Sequence, residues 1–295
     1  MRAHCRFTAA GALFLPLLIT GCSLFPTTRK LPMPKAPTIT QNAAPEELVA
    51  HLNERWDALK TLTATVEIRA SLEKSKEGTA TDYPSVHGNI LIRKPGDLRV
   101  LGRYFGVLAF DMASDDKNFT LFIPTKNKVI RGSNSLKTQS ANTWENLRPG
   151  FFLDAMLVRG LEPDDQYSVT SETFVVEDAA RKHLFSVPEY ILRITRPKAG
   201  SQQQTLVRVV YFHRDDLLPY QQDIYDSEGK FETQVMYAAY QDFDGGKYPS
   251  IVTIKRPLEG IQIVLTVDDV HQNMLLKDDQ FAVTFPPQTQ VQNLQ

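Results

Sequence analysis

The chain has 295 residues, with 33 Lys+Arg against 34 Asp+Glu, a formal net charge of −1 and 42% hydrophobic residues. A charge this small gives no basic field for nucleic acid, which excludes that class of partner. A mean hydropathy of −0.27 excludes both a disordered chain and a polytopic membrane protein.

Arg2 and Arg6 precede an apolar run from Phe7 to Ile19, 13 residues interrupted by Pro16. That is shorter than the ~20 residues of a spanning helix and has the organisation of a secretory leader. The run ends in Ile19-Thr20-Gly21-Cys22: an aliphatic residue, two small residues and a cysteine. This resembles the bacterial lipoprotein box; the other reading is an ordinary leader with a chance cysteine near the cut. On the first reading residues 1–21 leave, and Cys22 is acylated and holds the chain in membrane lipid. Losing Arg2 and Arg6 then takes the net charge from −1 to −3. Each buried methylene contributes about 0.8 kcal/mol, and two acyl chains already give stable anchoring. Ser23 in place of aspartate after the cysteine points to the outer membrane of a Gram-negative envelope, with the body facing the periplasm. Residues 22–43 form the tether. Pro26, Pro32, Pro34 and Pro37 favour extended geometry, and about twenty such residues at ~3.1 Å each reach roughly 60 Å.

The body, residues 44–295, is expected to form a single domain that opens on a helix. Pro45 suits the first helical position, and Glu46 and Glu47 complement the positive end of the macrodipole. Leu48, Leu52, Trp56, Leu59 and Leu62 fall on one stripe. Strands follow: Thr65 to Leu72, His87 to Arg93, Leu98 to Tyr104, Val107 to Met112 and Phe119 to Ile123, alternating apolar and polar. A second helix, near Trp144 to Arg159, carries Phe151, Phe152, Leu153, Met156 and Leu157, an apolar cluster too wide for one stripe. Seven further strands are expected within 166–177, 189–196, 205–213, 218–226, 231–241, 249–256 and 261–269, with turns at Asp226–Gly229 and Asp244–Gly246. Lys74 to Thr81 is polar and is expected to be strandless. With no βαβ alternation, the fold class is mainly β with two or more helices: a curled antiparallel sheet of about 11–13 strands with helices covering it.

No catalytic or metal constellation emerges. G-x-S-x-G, H-E-x-x-H, P-loop and G-x-G-x-x-G patterns are lacking. His51, His87, His183, His213 and His271 do not show ligand spacing. The acidic doublets, such as Asp115-Asp116 and Asp268-Asp269, mostly flank turns that favour aspartate. The sequence therefore points to no enzyme, catalytic residue, cofactor or metal.

Several segments, taken in order, resemble one family. Gly88-Asn89-Ile90-Leu91-Ile92-Arg93-Lys94-Pro95-Gly96-Asp97-Leu98-Arg99 is similar to the early hairpin of the LolA/LolB family, the periplasmic carrier and outer-membrane receptor that deliver lipoproteins. Ser114 to Pro124 is similar to its next turn and strand, and Phe281 to Pro287 to its closing strand. Gly160 to Asp165 and Tyr248 to Ile251 resemble the receptor branch. The resemblance spans about 45–290; Glu73 to Ser85 and Pro197 to Gln204 are extra, loop-like segments. It implies an open half-barrel closed by a helical lid, with acyl chains held in the apolar space between them. Phe151, Phe152, Met156 and Leu157, with Trp56, would line lid and cavity, unless they are plain core. Lys94 stands where the carrier has an arginine, and a lysine lacks the forked donation of a guanidinium. Phe105-Gly106 matches the receptor's protruding apolar residue before a glycine; it is either a membrane-contact loop or an inward aromatic at a strand end. The implied function is acyl-chain binding for lipoprotein localisation or lipid transfer. Its partners would be membrane lipid through Cys22, lipoprotein acyl chains and a periplasmic carrier protein. The alternatives are a non-transporting envelope lipoprotein that serves as an interaction platform, and a hydrolase.

Overall fold

A computed structural model describes residues 40–74, 78–134, 149–177, 183–198, 200 and 203–294. The leader, Cys22, most of the tether and the start of the second expected helix at Trp144 lie outside the described residues.

The first helix, α1 (Pro45–Ala58), begins with the Ala44 amide donating to Glu47 Oε2 at 2.8 Å, and it buries Leu48, Val49 and Leu52. It ends before Leu62, which the helical stripe had included. From Thr61 the apolar period changes to two, and Leu62, Ala64, Val66 and Ile68 are all buried on one face of β1 (Thr61–Lys74). The next strands are β2 (Thr79–Asp82), β3 (Val86–Arg93), β4 (Asp97–Tyr104), β5 (Val107–Ser114), β6 (Asn118–Ile123) and β7 (Lys128–Ser133). The second helix, α2 (Pro149–Met156), stops short of Arg159. After it come β8 (Gln166–Glu177), β9 (Leu184–Pro197), β10 (Gln204–His213), β11 (Pro219–Tyr225), β12 (Phe231–Phe243), β13 (Gly246–Arg256), β14 (Ile261–Gln272) and β15 (Gln290–Asn293).

These strands form one open sheet of 15 strands among the described residues, in the order β15-β7-β6-β5-β4-β3-β1-β14-β13-β12-β11-β10-β9-β8, with β2 paired to β1. β1 joins the two meanders, pairing antiparallel with both β3 and β14. The count exceeds the expected 11–13 because β2, β7 and β15 are short and two of them are polar. β2 is exposed at all four positions, so no apolar alternation marks it, yet it pairs with Ser71 to Lys74 within the segment expected to be strandless. Phe281 to Pro287 is not a closing strand. It follows a 3-10 turn at Asp278–Phe281 and straps the outside of the sheet, with Phe285 against Phe122 and beneath Arg131; the pairing segment comes later, where β15 joins β7 in parallel.

Two apolar clusters fill the concave side. α2 is buried against inward residues that include Ile90, Leu98, Val100, Met112, Val235 and Val252. α1 packs Leu48, Val49 and Leu52 on Tyr190, Leu192, Ile194, Val210 and Phe212 of β9 and β10. At its other end it reaches the β3–β4 turn, where the Lys94 ammonium donates to the Trp56 carbonyl. α1 therefore crosses one rim of the sheet, while α2 lies deeper.

Candidate functional site

Beneath α1 lies a cavity of about 340 Å³, near the lower end of the ~300–1,000 Å³ common for small-molecule sites. Its floor and walls include Leu52, Trp56, Leu62, Met156, Leu157, Phe212, Tyr237 and Tyr240. The mouth lies at the Gly245–Lys247 turn, with Arg55 of α1 and Gln272 beside it. Tyr237 and Tyr240 are three residues apart, a spacing that simple alternation places on opposite faces. Ala239 between them has a left-handed backbone (φ 53°), which turns Tyr240 inward as well.

The depth of this cavity is fixed by α2, because the sheet holds that helix through its carbonyls. Gln222 Nε2 donates to the Asp154 carbonyl at 2.6 Å, the Tyr237 hydroxyl to Ala155 at 2.9 Å and the Tyr248 hydroxyl to Met156 at 2.7 Å. Arg208 Nη1 reaches the Arg159 carbonyl just beyond, at 2.5 Å. Successive strands β10, β11, β12 and β13 thus each send one donor to carbonyls at or just past the C-terminal end of α2, which the helix itself leaves unpaired. Burial raises the Tyr237 and Tyr248 phenols well above their ordinary value, so both remain proton donors at any physiological pH.

The polar ties of α1 are less buried than those of α2. Lys94 Nζ sits 3.6 Å from the centroid of the Trp56 ring while donating to the carbonyl of the same residue. A cation at a helix C-terminus is favoured by the macrodipole. Desolvation beneath the helix lowers the ammonium from its usual value, and neighbouring Lys60 adds to this. Asn53 Oδ1 accepts from the Leu161 amide at 2.9 Å, and Asn273 Nδ2 donates to the Ala58 carbonyl at 3.1 Å.

No protein-family model matches this chain, and no curated protein matches it in sequence. Among solved structures it is similar to a DUF1329 family protein from Desulfovibrio piger, with 18% identity, a TM-score of 0.50, and 80% of this chain and 94% of that one covered. The fold is shared. It also matches a LolA superfamily protein from Nitrosomonas europaea (14% identity, TM-score 0.47, 80% and 97% covered) and a putative outer membrane lipoprotein-sorting protein domain from Vibrio parahaemolyticus (14%, 0.47, 79% and 92%).

The structure divides the residues singled out by sequence. Trp56, Met156 and Leu157 line the cavity, whereas Phe151 and Phe152 stack on each other in the packed core, 6% and 4% exposed, and do not line it. Lys94 does not line it either; it holds α1 from outside. Its single ammonium supplies one bond to one carbonyl, which suffices to dock the helix end without the fork of an arginine. Phe105 is not inward: it is 88% exposed, and its neighbours Tyr104 and Val107 are exposed too. Strand pairing places it on the opposite rim from the cavity mouth. Phe105 lies beyond the Glu67–His87–Arg103 row, while Gln272 lies on the Leu62–Ile92–Leu98 row at the other end.

Arg208, Gln222, Tyr237 and Tyr248, the donors to these carbonyls, are not among the site residues expected from the sequence. Their signal was present: polar-tipped residues at inward positions of otherwise apolar alternation. Nothing in a single strand, however, reveals that four of them converge on one helix end.

Proposed function

We propose that this protein is an outer-membrane lipoprotein, held by acylated Cys22, that takes an acyl chain of a lipoprotein or another lipid into the cavity beneath α1. One observation carries this reading: the concave face retains an apolar cavity, lined by Trp56, Met156 and Leu157, under the helix whose polar ties are the less buried. Lipid tails offer nothing to hydrogen-bond, so an apolar space with few fixed polar groups suits them. On this reading Phe105 and Gly106 touch the membrane interface, and the cavity mouth on the opposite rim faces the periplasm and an incoming carrier. Chain geometry is compatible. The Gln41 amide donates to the Arg214 carbonyl near the mouth-side rim. The roughly 18 residues from Cys22 to that rim can extend to about 55 Å, beyond the ~40 Å length of a 12-residue strand. The segments resembling the receptor branch, Gly160 to Asp165 and Tyr248 to Ile251, agree with this assignment, and one body from 44 to 295 carries it.

The test is titration of the purified protein with a fluorescent fatty-acyl probe. Saturable uptake, displaced by unlabelled long-chain lipid, is expected; absence of displaceable binding would sink the reading. The platform alternative has one specific observation in its favour, the exposed Val175 and Val176 on the edge strand β8. It gains if crosslinking through that edge recovers a partner while no lipid binds.

A further inference from the structure

The cavity beneath α1 has an electrostatic asymmetry that the chemistry of acyl tails does not require. Its lining includes His51, Arg55 and Lys247 and contains no carboxylate. All three side chains stand at the exposed mouth, and apolar and tyrosine side chains form the interior. Arg55 comes from α1 and Lys247 from the β12–β13 turn, and the fold brings them together: Arg55 Nη2 lies 3.4 Å from the Lys247 carbonyl oxygen. Among the described residues no carboxylate pairs with the Arg55 guanidinium. Lys247 has Asp242 at 3.4 Å and His51 has Glu54 at 3.8 Å, both exposed contacts outside the lining. Such surface pairs are weak and exchange readily for another anion. Arg55 and Lys247 thus stand on the two elements that frame the mouth, and an anion seated there is attracted by both.

We infer that the lipid bound here is an amphiphile with an anionic headgroup, its chain in the apolar cavity and its carboxylate or phosphate held at the mouth between Arg55 and Lys247. This rests on the acyl-chain reading above and narrows it. A neutral acylated head adds nothing to the single carbonyl contact of Arg55 or to the exposed Asp242 pair of Lys247, whereas an anionic head gains from both cations. The guanidinium adds planar paired donors suited to either oxyanion.

The test compares 16-carbon chains that differ only at the head. Palmitate, hexadecyl phosphate and hexadecanol compete against a fluorescent acyl probe on the purified protein, in low salt and in 0.5 M NaCl. At low salt one or both anions are expected to bind about fivefold tighter than the alcohol. That preference should shrink in high salt, where the screening length falls to a few ångströms. In the Arg55→Gln/Lys247→Gln double variant, the ratio of anion to alcohol affinity should fall toward one. The tighter of the two anions distinguishes a fatty-acid carboxylate from a lipid phosphate. Equal binding of all three chains, or a preference that survives both salt and the double substitution, overturns the headgroup assignment while leaving acyl binding intact. Failure of every chain to displace the probe overturns both. Should the double variant fail to fold, the salt dependence of the unaltered protein still decides.

Discussion

The most consequential side chains in this protein are polar ones pointing into an apolar face. Tyr237 and Tyr248 are 5% and 7% exposed, and each hydroxyl has a specific carbonyl of α2 as its acceptor. Removing one leaves that carbonyl buried without a donor, which typically costs about 1–3 kcal/mol. Tyr248→Phe is expected to lower stability by that amount in urea unfolding, with little change in m-value. The double variant with Tyr237→Phe should depart from additivity, because the two acceptors are adjacent. His271 offers a different test. Its Nδ1 lies 3.1 Å from Asp244 in the β12–β13 turn, and its Nε2 lies 3.0 Å from Asp269. The hydrogen bond to Asp244, reinforced by the charge of Asp269, raises its pKa above the ordinary 6.5. A raised value means that the clamp is fully present below pH 6.5 and is lost as pH rises through the folded-state value. Amides of the 244–247 turn should therefore exchange more slowly at pH 5.5 than at pH 8.5, after correction for intrinsic rates. His271→Gln should abolish the difference.

At the level of elements, the β4–β5 turn carries a local conflict. Both central residues have positive φ, Phe105 at 47° and Gly106 at 81°, as tight two-residue hairpins demand. Glycine accepts this conformation readily; a phenylalanine there costs about 1 kcal/mol and finds almost no burial in return. Strain kept at an exposed aromatic is a reason to look for function. Phe105→Gly is expected to raise stability by roughly 0.5–1 kcal/mol while weakening association with lipid vesicles. Unchanged vesicle binding would remove the membrane role. Elements also show where sequence pattern stops being informative. Alternation located β3, β4 and β10 because one face of each is buried. It missed β2, whose pairing with the end of β1 is a matter of backbone alone. It extended the stripe of α1 to Leu62 because a leucine at helical spacing is also a leucine on the inner face of the next strand.

On the scale of the whole molecule, the two helices have different standing. α2 is held by donors from β11, β12 and β13, with β10 bonding the segment just beyond it, and its apolar side chains are core; α1 rests on the rim through apolar contacts and the exposed or half-buried ties of Asn53, Arg55, Lys94 and Asn273. Access to the cavity should accordingly come from movement of α1. Native-state hydrogen exchange is expected to show α1 amides opening well before those of α2, and a bound 16-carbon chain should slow α1 selectively. Faster exchange in α2 would reverse the assignment of the gate.

The strand-rich class, the two helical segments and most of the turns are legible in the sequence, because periodicity and turn chemistry are local and survive in one dimension. Only the tertiary structure shows that Phe151 and Phe152 are core, that Phe105 points to solvent, that four donors meet at and just past one helix end and that Arg55 and Lys247 line one cavity mouth. Each of these depends on which strands become neighbours and how far the sheet curls. That information belongs to contacts across as many as 215 residues of chain, and no local pattern encodes it.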